Sequence, residues 1–338
     1  MAEPARAAPP RGFEEQLDRA AAVLREARSV ALACHVNPDA DALGSMLGLA
    51  AFLRARGTET ICSYGNDPLD PPRWAAALPG AETLVHHREV PPEPAVMATF
   101  DCASVDRLGP LAAKAMRARE LIWIDHHVSN DGVGTIPLID PTASSTAEIV
   151  YRLVRRIGGE VPPEAAACLY AGIVTDTGRF QYEATTPETL RVAAELREHP
   201  FDHARLVQSL YEDNGLAYLR LAGLALARLE HRPDADLVWT YLTQADLEEA
   251  GVRGPETDDL IDLVRTAREA DVAAVIKQQR DGRFKVSMRS RGGHDLARVA
   301  AAFGGGGHRL AAGYTSRHGL AETVERLARA LRGEPVEP

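Results

Sequence analysis

Nowhere does the chain offer the roughly 18 uninterrupted apolar residues that a membrane-spanning helix needs. Met1 to Gly12 is an Ala-, Pro- and Arg-containing segment without the apolar centre of a secretory signal. A cytoplasmic protein with no membrane partner is the expectation. Cysteine is scarce: Cys34, Cys62, Cys102 and Cys168 lie far apart and form no Cys-x-x-Cys pair. That excludes a disulfide framework and a zinc knuckle, and leaves four small core residues. Positive charge is in deficit too, with 38 Lys and Arg against 48 Asp and Glu. A formal charge of -10 excludes a surface built to coat long nucleic acid, which needs many exposed cations to displace counterions.

What is present is enough apolar residue, 45% of 338, to bury two cores, so two domains are expected. From Ser29 to about Phe201, short β-branched runs alternate with longer helical stretches, the pattern of βαβ units around a mostly parallel sheet. Strands are expected at Ser29 to Cys34, Thr60 to Tyr64, Ala95 to Phe100 and Leu121 to Ile124, with a helix from Ala42 to Arg56 closed by Gly57. The leucine-rich stretch Phe201 to Glu230 reads as helical, with a break at Asn214-Gly215. Beyond it come strands at Leu237 to Leu242 and Phe284 to Met288. Helices are expected at Thr257 to Ala270, Asp295 to Phe303 and Glu322 to Leu331. The fold class is α/β: a catalytic domain over 12–205, a helical linker over 206–230 and a smaller α/β domain over 231–333. The two Pro-containing ends are expected to be disordered.

The chemistry stands at the strand ends. The first strand runs into His35, followed by Asn37-Pro38-Asp39-Ala40-Asp41; the third ends at Asp101; the fourth ends at Asp125-His126-His127. In a parallel sheet these ends form one crest, where open α/β folds bind ligands. Several carboxylates gathered there cannot all stay ionised without compensation, and divalent ions supply it. Asp and His without thiolates suit Mn²⁺, Fe²⁺, Co²⁺ or Zn²⁺ better than Ca²⁺. Mn²⁺ is expected, with Mg²⁺ second, as two ions about 3.5–4 Å apart sharing a carboxylate. Such a pair polarises phosphoryl oxygens and makes hydroxide available near neutral pH, which suits attack on phosphorus.

Each motif has a plainer reading. Asp39-x-Asp41 alone is more often a helix cap, or the metal motif of a sugar-nucleotide transferase; His35 four residues upstream favours a ligand set. Asp176, in Gly172-Ile173-Val174-Thr175-Asp176-Thr177-Gly178, is by itself more often a turn residue. His86-His87 lacks a preceding acid and is expected at the surface. The basic stretch Lys277 to Arg309 contains Ser287-Met288-Arg289-Ser290-Arg291 and then Gly304 to Gly307, His308 and Gly313. Four glycines in isolation suggest a flexible connection, but beside these cations they suggest a phosphate cradle.

Together, HVNPDADALGS from His35, Asp101, Asp125-His126-His127, GIVTDTGRF and SMRSRG followed by GGGGHRLAAG resemble the DHH-DHHA1 phosphoesterases, over about Glu14 to Leu331. Within them the nanoRNase group, which degrades short RNA and dephosphorylates 3′-phosphoadenosine 5′-phosphate (pAp), is the nearest likeness. The resemblance implies an active site in a cleft between the two domains. It implies one Mn²⁺ (Mg²⁺ or Co²⁺ in its place) on His35, Asp39 and Asp101, and a second on Asp41, Asp101, His126 and Asp176. His127 would face the scissile phosphate, with Asp125 supporting the histidines. Arg289, Ser290, Arg291 and His308 would hold the terminal nucleotide, with Gly305, Gly306 and Gly307 allowing close backbone approach. Short RNA, pAp and, as an alternative, cyclic di-AMP or its linear product pApA are the implied partners, with a homodimer by analogy. A catalytically silent nucleotide-binding regulator is the rival of another class.

Overall fold

The protein's structure, a computed structural model, describes residues 10, 12–130 and 132–336. The disorder expected of the Pro-containing ends concerns mostly residues 1–9 and 337–338, which lie outside the described residues. The chain divides into two units between Asp213 and Asn214.

In the first unit the order is α1 (Phe13–Glu26), β1 (Ser29–Cys34), α2 (Ala40–Ala55), β2 (Glu59–Tyr64), β3 (Val96–Phe100), α3 (Ala112–Ala115), β4 (Glu120–Asp125) and β5 (Ile136–Ile139). Helices α4 (Thr146–Ile157), α5 (Pro163–Asp176), α6 (Pro187–Arg197) and α7 (His203–Tyr211) follow. The five strands pair in parallel in the order β2-β1-β3-β4-β5. Burial explains the composition of β1, β3 and β4: apart from their first residues they are buried, as strands covered on both faces must be. Strand β5 is absent from the sequence expectation because Pro137 argues against a strand; as an edge strand it tolerates a residue without an N–H. The four cysteines are buried and unpaired.

The register sets the crest level. Cys34 lies beside Phe100, and Phe100 beside Ile124, so His35, Asp101 and Asp125 emerge in a row.

The second unit runs α8 (Leu216–Ala227), β6 (Glu230–Arg232), β7 (Leu237–Leu242), α9 (Gln244–Ala250), α10 (Leu260–Val264), β8 (Val272–Gln278) and β9 (Phe284–Ser290). Then come α11 (Leu296–Ala301), β10 (Gly306–His308), β11 (Ala311–Ser316) and α12 (Leu320–Leu331). Its sheet, in the order β10-β11-β9-β8-β7-β6, is antiparallel except for β7 with β8. One face packs α11 and α12 over Trp239, Ile276, Val286, Met288 and Tyr314; part of the other is covered by α8, α9 and α10.

Two expectations need correcting. The segment 206–230 is not a linker: α7 places Leu206 in the core of the first unit, whereas α8 buries Tyr218, Leu221 and Ala225 in the second. The helix expected over Thr257 to Ala270 is only the five residues of α10 after a 3₁₀ turn at Gly254–Thr257. It stops because the carbonyls of Arg265 and Thr266, at its C-terminal end, accept from the Arg291 guanidinium instead of from a further turn.

Candidate metal centre

Two ligand triads share one residue. His35, Asp39 and Asp101 form the first, and Asp41, Asp101 and His126 the second. Asp101 faces both: its Oδ2 is 3.4 Å from His35 Nε2, and its Oδ1 is 3.6 Å from His126 Nε2. Asp176 Oδ2 lies 3.3 Å from His126 Nε2, and Asp39 Oδ2 lies 3.9 Å from His35 Nε2. These separations exceed ordinary hydrogen bonds, yet they equal the spacing of neighbouring donors around an ion with bonds of about 2.0–2.2 Å. The donor set therefore fits two divalent cations with Asp101 between them.

Local folding explains how each donor arrives. Asp101 has φ +58°, a left-handed conformation that a non-glycine residue adopts at some cost, and it turns the chain sharply at the end of β3. Asp39 satisfies both readings of its motif: Oδ1 caps α2 by accepting from the Ala42 N–H at 2.9 Å, while Oδ2 points to His35. Asp176 ends α5, where the helix dipole disfavours an anion, so its position calls for a compensating charge.

Asp41 is fully enclosed. It accepts from the backbone N–H groups of Thr146 at 2.7 Å and Ala147 at 2.9 Å, the first turn of α4. Gly172 of α5 makes room for it, since a Cβ there would lie 2.7 Å from Asp41 Oδ1 and 2.7 Å from the Ala147 methyl. Thr146 also donates its hydroxyl to Asp101 Oδ1 at 3.0 Å, so one buried residue fixes two carboxylates. A search for acids and imidazoles passes over Thr146; the polar run Ser144-Ser145-Thr146 before an apolar helix is the available signal. Ser145 caps α4, and Arg152 ties Asp140 to Glu148, which in turn accepts from Ser144.

The electrostatics show the cost of gathering these groups. Burial pushes the Asp176 carboxyl up to about 7, with Asp101 and Asp39 adding to it against His126. Burial and the neighbouring acids Asp101 and Asp176 likewise raise Asp41. Burial would lower His126, but the charges of Asp176, Asp101 and Asp41 outweigh it and raise the imidazole to about 9. For Asp101, burial works upward and is overcome by the neighbouring imidazoles of His35, His126 and His127, which hold the carboxyl low.

His127 Nδ1 meets Asp125 Oδ1 at 2.7 Å, and Asp125 Oδ2 accepts from Asn130 Nδ2 at 2.6 Å. Asn130 is a further residue that the sequence reading misses. The bond fixes the imidazole orientation. Burial opposes a charge on His127, yet the Asp125 bond and the Asp101 charge raise its pKa overall.

His86-His87 needs a correction. His87 is buried and both rings lie on Asp67, at 3.4 Å from His86 Nε2 and 3.6 Å from His87 Nε2. The acid comes from nineteen or more residues upstream and is invisible to a local search. This cluster is an ion-paired clip: Arg88 already occupies Asp67 Oδ2 at 2.9 Å. His86 Nδ1 accepts from the Arg88 N–H, which keeps the proton on Nε2 facing the acid.

The second unit separates the residues expected to bind substrate. Arg289 and His308 share one face of the sheet, because His308 pairs with Ala311 and Ala311 with Arg289. Ser290 points to the other face. It is buried, donates to Asp271 Oδ2 at 2.6 Å and accepts from the N–H groups of Gly292 and His294. Arg291 holds the end of α10. The glycine run is not a flexible connection, since Gly306–His308 is a paired strand. A Cβ on Gly305 would lie 2.2 Å from the Gly313 carbonyl oxygen and one on Gly307 2.5 Å from that of Ala311, whereas Gly306 meets open space. At 305 and 307 glycine answers to the chain's own backbone.

A parallel sheet crowned by carboxylates and imidazoles gathered around Asp101, followed by a second α/β unit carrying Arg289 and His308 on one sheet face, fits a class of phosphoester-cleaving metalloenzymes. Comparison with known proteins narrows it. Residues 29–173 match the DHH family N-terminal domain and residues 237–334 the DHHA1 domain. The bifunctional oligoribonuclease and PAP phosphatase NrnA of Thermus thermophilus is 35% identical over 97% of this chain and 97% of its own length. The chain belongs to the DHH-DHHA1 family of metal-dependent phosphoesterases. Among solved structures, an exopolyphosphatase-related protein from Bacteroides fragilis superposes with a TM-score of 0.86 at 24% identity, covering 95% of this chain and 96% of that one. RecJ from Thermus thermophilus in complex with Mn²⁺ gives 0.58 at 18% identity, covering 99% and 57%. These two show a shared fold. No helix among the described residues is long and apolar enough to cross a membrane.

Proposed function

We propose that this chain hydrolyses short oligoribonucleotides of two to five nucleotides from an end, and removes the 3′-phosphate of pAp, using two Mn²⁺ ions. The observation that carries the reading is Asp101, one of whose oxygens faces His35 and the other His126. Likeness to the NrnA protein along nearly the whole chain supports the substrate class. His35, Asp39 and Asp101 would hold one ion and Asp41, Asp101, His126 and Asp176 the other. When bound, the ions supply Lewis-acid polarisation of the phosphoryl group and acidify water.

The chain's own groups do the rest. Thr146 and the first turn of α4 hold Asp41 and Asp101 in place against mutual repulsion before metal arrives. His127, its raised pKa favouring the imidazolium, presents an Nε2–H to a phosphoryl oxygen while Asp125 fixes the ring. Arg289 and His308 anchor a nucleotide phosphate on the exposed sheet face.

Product release from 5′-labelled pApA, a five-nucleotide RNA, a two-dozen-nucleotide RNA, cyclic di-AMP and pAp, with Mn²⁺ and with EDTA, tests the proposal. Manganese-dependent turnover favouring the short linear substrates and pAp is expected. Preference for cyclic di-AMP would reassign the substrate, and binding without turnover in any metal would indicate a regulator.

A further inference from the structure

The loop after β3 carries a cation that the account above leaves unused. Arg107 is exposed, but its backbone is tightly docked: its carbonyl accepts from the Val36 N–H at 2.8 Å. The loop seats closely on this segment, since a Cβ on Gly65 would lie 2.4 Å from the Leu108 carbonyl oxygen and one on Gly109 2.9 Å from Val36 Cγ1. Arg107 is therefore fixed beside the residue that follows His35. Its guanidinium Nη2 lies 3.0 Å from His35 Nδ1, and among the described residues no carboxylate comes within ion-pair distance of it.

That contact is incompatible with a ligated His35. The same Nδ1 lies 2.9 Å from the Val36 carbonyl oxygen. A single ring nitrogen either accepts from Arg107 or, carrying its proton, donates to Val36. Ligation through Nε2 requires the second state, because the proton must then sit on Nδ1. Arg107 is left with five donors and no acceptor beside a site whose charges leave nothing over for an anion. Asp39, Asp41, Asp101, Asp125 and Asp176 bring five negative charges, which two divalent ions and the His127 imidazolium would just offset before a phosphate adds its own. An anionic substrate entering such a site needs a further cation on its rim.

We propose that Arg107 is a phosphate-binding residue of the first unit, its guanidinium pairing with a non-bridging oxygen of the phosphoryl group once His35 no longer accepts from it. The inference rests on the phosphoester reading above and adds a substrate contact from the loop after β3.

The test uses full-length wild type, Arg107→Ala and Arg107→Lys with saturating Mn²⁺. Three quantities are measured: Mn²⁺ binding by electron paramagnetic resonance, AMP binding by calorimetry, and kcat and KM for pAp. Arg107→Ala is expected to weaken AMP binding and lower kcat/KM by about tenfold or more, with partial recovery in Arg107→Lys. Mn²⁺ affinity should stay within about twofold, which separates a substrate contact from support of His35. AMP binding and kcat/KM in Arg107→Ala within about twofold of wild type would overturn the proposal, as would a loss matched by an equal loss of Mn²⁺ affinity. If wild type turned over no phosphoester, the functional reading would fail, while the AMP comparison would still decide the role of Arg107.

Discussion

The two units carry their polar groups in opposite ways. In the first, His35, Asp101 and Asp125 come from sequence-distant segments yet emerge side by side, because parallel strands in register deliver their ends to one edge. In the second, Arg289 and Ser290 are neighbours in sequence yet part company, because side chains alternate along a strand, while Arg291, just past the end of β9, turns to the end of α10. Adjacent strand ends bring residues together, whereas adjacency along one strand divides them. The first unit also encloses its groups, with Asp41 and Asp101 buried, while in the second Arg289 is half-buried and His308 exposed. Loss of a buried carboxylate should thus strike metal and chemistry in the first unit, and loss of Arg289 affinity alone in the second.

The largest expected effect is that of Asp101→Ala. Removing the shared carboxylate should reduce kcat/KM on the order of a thousandfold, and retained turnover would erase the distinction between the units. Thr146→Val should come next. It keeps the side-chain shape but loses the hydroxyl that fixes Asp101, so Mn²⁺ affinity should weaken roughly ten- to hundredfold, with recovery in Thr146→Ser and little change in KM.

The pH dependence of metal binding follows from the same enclosure. Without metal, His126 holds its proton below about 9 and Asp176 below about 7, and both must release it to bind an ion. Mn²⁺ affinity should therefore fall as pH falls, by about tenfold per pH unit between these values and more steeply below the lower one. Calorimetry in buffers of different ionisation enthalpy would show protons released on Mn²⁺ binding, in a number that grows as pH falls. An affinity independent of pH from 7 to 9 would contradict the raised imidazole.

Smaller effects separate the residues of the second unit. Arg289→Ala should raise KM about tenfold with kcat and Mn²⁺ affinity unchanged. Ser290→Ala should leave KM nearly unchanged but lower thermal stability by about 1–3 kcal/mol, because half-buried Asp271 and two backbone N–H groups lose a partner. A KM effect of Ser290→Ala equal to that of Arg289→Ala would mean that the face assignment is wrong.

How far the sequence could be read depended on whether the deciding interaction was local. The strand ends bearing His35, Asp101 and Asp125 were legible because each apolar run stops at a polar residue, and the parallel pattern implies their convergence. The glycine run suggested mobility when considered alone; its strand character depends on Gly313 and Ala311, to which it pairs. Thr146 was hidden because its partners lie 45 and 105 residues away. Asp67 beneath His86 and His87 was hidden for the same reason, as a long-range polar contact leaves no periodic trace.

The claim on which the rest depends is that the first unit binds two divalent ions through one shared carboxylate. Electron paramagnetic resonance of Mn²⁺ titrated into wild type and Asp101→Asn tests it most directly. Two ions per chain with a spin-coupled signal, and loss of that coupling in Asp101→Asn, is the predicted result. A single uncoupled ion in wild type, or an unchanged coupled signal in the variant, would contradict it.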